Sequence, residues 1–285
     1  MRSDCMTYTL VNRIGEALSL TSDNTFFYDS SGYGVELSNT YRQAGRRFVL
    51  TSSKPKQGEL SGKIYLKGGS SQERFLSFER FCQQAPLTLQ YTPETTTFSR
   101  RVRVSKITKD ATYHAHAQSI SVELVCETPW YQRVAVTTVA DTSKESWTWG
   151  ITWGVTWGSS QSNTVVINSD TYIESPCRLV INGAVTSPTW SHYVDGVLVE
   201  SGGFTVSTAI ASGDALIVDN TVDPYQMRIV KQGTETLVRD VYQSRDFAKA
   251  CFMTVRHGHN VIAVSDTSGT SLTISAEAYL YYDSV

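Results

Sequence analysis

Apolar residues recur with two different periods along this chain, and the switch between them outlines its first domain. From residue 70 to 84 the period is helical. Phe75, Phe78, Phe81 and Cys82 fall on one face, with Glu73, Arg74, Glu79, Arg80 and Gln83 on the other. Ser70 with Glu73 three residues later is a capping-box pattern that satisfies first-turn amides. Pro86 lacks the amide that would continue the ladder and restricts the residue before it, so the spacing predicts a helix over 71–84. After Pro86 the period becomes two. Residues 87–91, 101–104 and 119–126 alternate like half-buried strands, joined by polar connections at 92–98 and 109–118. Upstream, residues 8–11 and 26–28 read as short strands. Residues 59–66 read as another, with Leu60, Ile64 and Leu66 on one face and Gly62 marking a bulge. One amphipathic helix on an antiparallel sheet is a sufficient small core.

The strictest alternation comes later. Trp147, Trp149, Ile151, Trp153, Val155 and Trp157 take every odd position, and Thr or Gly takes every even one through Gly158. That is a strand with one wholly apolar face and one nearly bare face. Trp147, Trp149, Trp153 and Trp157 then serve as a seal for the second domain's sheet or its junction with the first. Otherwise they form a subunit contact or a platform for a sugar ring. The bare face lets another backbone approach closely, which favours contact over platform. Beyond Gly158 short strands follow one another between turn residues, among them 165–167, 178–181, 203–210, 237–242, 272–276 and 278–282. Asp195-Gly196 is the strongest hairpin signal in the chain. Short strands with no crossover helix predict a β-sandwich.

Charge sharpens the division. The formal net charge is −2, but residues 1–133 carry a net of +5 and residues 134–285 a net of −7. The break predicts two domains, 1–133 and 134–285, of opposite sign. With 40% hydrophobic and 18% charged residues the chain has the composition of a folded protein. No apolar run is long enough to cross a bilayer. The first residues lack the apolar core of a signal peptide, and the five cysteines are scattered without a CxxC pair. Both features predict folding in a reducing cytosol.

Several pieces of the first half bear a resemblance to a known family. They are Phe78-Glu79-Arg80-Phe81, the strand from Pro86 to Tyr91, Val104-Ser105-Lys106-Ile107-Thr108-Lys109, and the closing Cys126-Glu127-Thr128-Pro129-Trp130-Tyr131. In order and spacing they resemble the N-terminal domain of the distal tail proteins of long non-contractile-tailed phages. The later half resembles that family's galectin-like, jelly-roll sandwich. The resemblance implies a mainly β protein whose first domain forms a ring and whose second points outward. It implies a hexameric hub at the virion tail tip, assembled in the host cytoplasm. The hub would join the tail tube protein to the tail-associated protein, carry receptor-binding proteins and let DNA pass. An extended arm somewhere in residues 2–68 would help to close the ring. The family's sugar-binding insertions have no counterpart in the second domain of this chain.

Chemistry that would point elsewhere is sparse. There is no G-x-S-x-G, H-E-x-x-H, P-loop or dinucleotide fingerprint, so the sequence predicts no enzyme and no cofactor. His114 with His116, and His257 with His259, place two imidazoles close together but lack the further ligands a metal needs. The alternative function is a carbohydrate-binding module that contributes to host-surface recognition. Its contacts would be an exposed Trp190 beside a polar His192, and sequence does not separate an exposed Trp190 from a core one.

Overall fold

The computed structural model describes residues 6–67, 71–114, 117–139, 163–266 and 272–285. These are mostly strands, with one α-helix among the described residues, Ser71–Gln83. Their contacts fall into two compact units. One comprises residues 1–132 with 281–285, the other residues 133–280.

In the first unit an antiparallel sheet curls back on itself. Thr7–Val11 pairs with Leu87–Thr92, which pairs with the start of Phe98–His114. That long strand pairs with Ala117–Cys126, which pairs with Glu59–Lys67, which pairs with Thr25–Ser31. Leu20 ties the two ends together. Its amide donates to the Tyr8 carbonyl at 2.8 Å, and its carbonyl accepts from the Phe27 amide at 2.8 Å. Curling in this way leaves few unpaired strand edges. The alternating residues point inward, so Leu60, Ile64, Leu89 and Val122 are all buried.

The helix lies against this core as its spacing predicts. Phe78 and Cys82 are buried, and Phe75 and Phe81 pack half-buried beside them. Ser70, the predicted cap, is outside the described residues. Two sequence expectations change. Gly62 sits in unbroken register with Val122, and a Cβ there would lie 2.4 Å from the Phe27 ring. The glycine admits an aromatic ring, and the bulge lies instead on the other side, between Tyr28 and Ser31. In the polar stretch 109–118 the described residues, 109–114 and 117–118, are strand, with Ala117 opposite His114.

Among the described residues the second unit holds two larger antiparallel sheets and the short pair Val185–Thr186 with Ala209–Ile210. In the first the strand order is Leu237–Asp240, Gln226–Lys231, Asp214–Asp219, Ser175–Asn182 and the Thr273–Tyr282 strand. In the other it is Asn163–Ser169, Gly258–Ser265, Thr189–Val194 and Val197–Gly202. Each sheet buries alternate residues, such as Leu179, Ile181 and Ile274 in one and Val165, Ile167 and Ile262 in the other. Two sheets with one apolar face each make a sandwich. Residues 203–210 are mostly irregular, with only Ala209–Ile210 in a strand. The strand at 237 stops at Asp240, and a single 3-10 turn, Tyr242–Ser244, follows.

Candidate functional site

One element of the first unit contributes nothing to its core. Leu37–Ala44 and Arg47–Pro55 form a two-stranded sheet of their own, exposed along nearly its whole length. Gly45-Arg46 makes the turn, and of the two only Gly45 has a positive φ, +64°, as a type II′ hairpin requires. Residues directly opposite one another share a face. Tyr41 faces Leu50 and Gln43 faces Phe48, so Leu37, Tyr41, Phe48 and Leu50 lie together on one side. On the other side lie Arg42, Arg47 and Lys54, with Val49 opposite Arg42. The hairpin is therefore amphipathic with no core of its own. Phe48 is 72% exposed and Tyr41 55%.

The root of this hairpin is fixed by the closing motif Thr128-Pro129-Trp130. Trp130 is fully buried, stacks on Tyr33 with ring centroids 6.1 Å apart, and donates from Nε1 to the Tyr33 carbonyl at 3.2 Å. Arg100 donates from Nε to the Thr128 carbonyl at 2.8 Å, and its guanidinium lies 5.5 Å from the Trp130 ring centroid. Burial lowers the Arg100 pKa, and the cation–π contact offsets part of that cost. On the outgoing side, the Cys126 amide donates to the Gly58 carbonyl at 2.8 Å. A Cβ on Gly58 would lie 2.3 Å from Arg100 Nη2, so glycine is what lets the chain pass the guanidinium. The motif thus holds the segments entering and leaving the hairpin, at Tyr33 and at Gly58.

The residues singled out by sequence fare differently. Trp147, Trp149, Trp153 and Trp157 lie outside the described residues. Trp190 is buried and donates from Nε1 to the Cys251 carbonyl at 2.8 Å. Its ring lies where a Cβ of Gly202, its cross-strand partner, would stand. His192 is also buried, between Glu200 Oε2 at 3.2 Å and Asn260 Oδ1 at 3.0 Å. Neither side chain has a face open to a sugar, which corrects the expectation of an exposed pair. The side chains of His114 and His116 are outside the description. His257 stacks on Tyr172 at 4.0 Å, and His259 Nδ1 lies 2.9 Å from Asn168 Oδ1. Among the described residues no three His, Cys, Asp or Glu side chains gather as metal ligands. Burial pushes the Cys82 and Cys177 thiols up to about 12, so at neutral pH neither is a thiolate nucleophile. The hairpin itself was missed by sequence, although Gly45 between two stretches of alternating character was the signal present.

The fold is that of phage tail-tip components. The chain is similar to a chain of the phage P2 baseplate in its activated conformation with calcium. That match has a TM-score of 0.66 and 14% identity, and covers 99% of this chain and 100% of the other. It is likewise similar to the Dit protein of phage SPP1, described as a paradigm of the hub adsorption apparatus in phages infecting Gram-positive hosts. There the TM-score is 0.62 at 9% identity, over 96% of this chain and 99% of the other. No curated protein matches the chain by sequence. Residues 7–127 match the family model described as distal tail protein, N-terminal domain. That stretch, somewhat under half of the chain, is thus similar to the N-terminal domain of the distal tail proteins.

Proposed function

We propose that this protein is the ring-forming hub of its tail tip, and that the Leu37–Pro55 hairpin is the arm that closes the ring. The observation that carries this reading is the exposed apolar face of Leu37, Tyr41, Phe48 and Leu50 on an element without a core of its own. A closed ring needs two complementary patches used head to tail, and a projecting arm that docks on the next copy supplies one of them. The cationic opposite face, with Arg42, Arg47 and Lys54, sets free arms against pairing with one another. Six copies make the ring. Their N-terminal domains surround a passage for DNA and their galectin-like C-terminal domains point outward. The ring joins the tail tube protein to the tail-associated protein, carries receptor-binding proteins, and is put together in the host cytoplasm. Negative-stain images of the concentrated full chain test the reading. Six-fold rings with an open centre are expected, and an image set of single subunits or irregular clusters counts against it.

A further inference from the structure

Away from the hairpin, one cavity combines exposed aromatic surface with polar groups that the fold leaves unused. It is a groove of about 620 Å³ in the second unit, with Tyr225, Tyr242, Leu237, Arg228, Asp240 and Gln243 in its lining. That volume is within the range of small-molecule sites. Its aromatic wall is braced. Tyr225 and Tyr242 both lean on Phe252, with centroids 5.1 and 6.0 Å away. The Arg245 guanidinium lies 3.7 Å from the Tyr242 ring centroid and 4.1 Å from that of Phe247, and its Nη1 donates to the Tyr242 carbonyl. Tyr242 is thus clamped on one side, and Tyr225 remains 51% exposed. Rings held rigid at a surface have already lost the freedom that a ligand would otherwise have to take from them.

The polar wall carries two groups that are not paired with each other. Arg228 and Asp240 stand directly opposite on neighbouring strands, so their side chains share a face. They form no ion pair among the described residues. The Arg228 Nε is buried there without a hydrogen-bond partner. Asp240 commits Oδ1 to the Tyr242 amide at 2.8 Å and leaves its other oxygen uncommitted. A buried guanidinium N–H without an acceptor costs the fold and needs an explanation.

We propose that this groove is a saccharide-binding site for a short, uncharged oligosaccharide. The C–H faces of the sugar rings lie on Tyr225 and Tyr242, while Arg228 donates to one hydroxyl and Asp240 accepts from its neighbour. A simple anion would meet the Asp240 carboxylate beside Arg228. A wholly apolar ligand would leave both groups buried without partners. A hydroxyl-rich ligand with apolar ring faces suits both walls. The site is distinct from Trp190 and His192, and it does not depend on the ring reading.

The test is an array of defined oligosaccharides probed with the full chain, beside saturation-transfer NMR with glucose, galactose and N-acetylglucosamine at millimolar concentration. Binding to at least one glycan is expected. Tyr225→Ala and Asp240→Asn should each weaken it about tenfold, as loss of an anchor contact does. Both lie on exposed or half-exposed positions, so unchanged thermal melting is expected for each. Saturation transfer to the C–H protons of the bound ring should vanish in Tyr225→Ala. A chain that binds no glycan in either format overturns the proposal, and so does binding that survives both substitutions.

Discussion

Two hairpins of this chain have similar local geometry and opposite surroundings. Leu37–Ala44 with Arg47–Pro55, and Thr189–Val194 with Val197–Gly202, each turn through two residues, Gly45-Arg46 and Asp195-Gly196. The later one belongs to a four-stranded sheet and buries Trp190 and His192, leaving Val197 and Leu198 exposed beside its turn. The earlier one pairs with nothing but itself and leaves Tyr41, Phe48 and Leu50 at half exposure or more. Trp190 on the later hairpin is therefore accounted for by stability. The apolar residues on the earlier one lower the protein's solubility without adding to its core, and such a surface is where a partner sits.

Substitutions should separate the two hairpins on that basis. The largest loss of stability is expected from Trp190→Ala, which removes a fully buried ring and its bond to the Cys251 carbonyl. Such truncations cost about 3–5 kcal/mol, so thermal melting should show a fall of many degrees. Gly58→Val comes next. It pushes the Arg100 guanidinium off the Thr128 carbonyl at the root of the first hairpin, an overpacking change of about 1–3 kcal/mol. Chemical denaturation should show a lower midpoint, and hydrogen exchange should rise at residues 33–36 and 56–58. Gly45→Val strains only the turn at φ +64°, at about 1 kcal/mol, and a melting shift of a few degrees checks it. Phe48→Asp should leave the unfolding free energy within about 0.5 kcal/mol of the parent, because an exposed residue has no core to disturb. A marked drop there would mean that Phe48 is covered within its own chain.

The same contrast explains what could be read from sequence. Phe75, Phe78 and Phe81 announced the helix because they bury against their own sheet, and a core imposes its period on the element it covers. Leu60, Ile64 and Leu66 announced their strand for the same reason. Asp195-Gly196 was legible because both residues take positive φ, +49° and +82°, which few residue types tolerate. The first hairpin gave a faint signal, since its apolar residues answer to no core in the chain and are interspersed with Asn39, Gln43 and Ser53. Trp190 was ambiguous because an aromatic residue followed by polar ones suits a sugar site and a strand facing a core equally. The Tyr225 and Tyr242 groove was invisible. Its walls come from residues 224–228 and 237–243, and only the strand register sets Arg228 opposite Asp240.

The central claim is that the apolar face of the Leu37–Pro55 hairpin is a subunit contact. Light scattering across a concentration series, on the full chain and on a Phe48→Asp, Leu50→Asp double variant, tests it most directly. The account predicts that the mass of the parent chain rises towards a closed ring as concentration increases. The double variant, with the same melting curve, should remain a single subunit throughout. A double variant that assembles as the parent does would contradict the claim and place the contacts elsewhere.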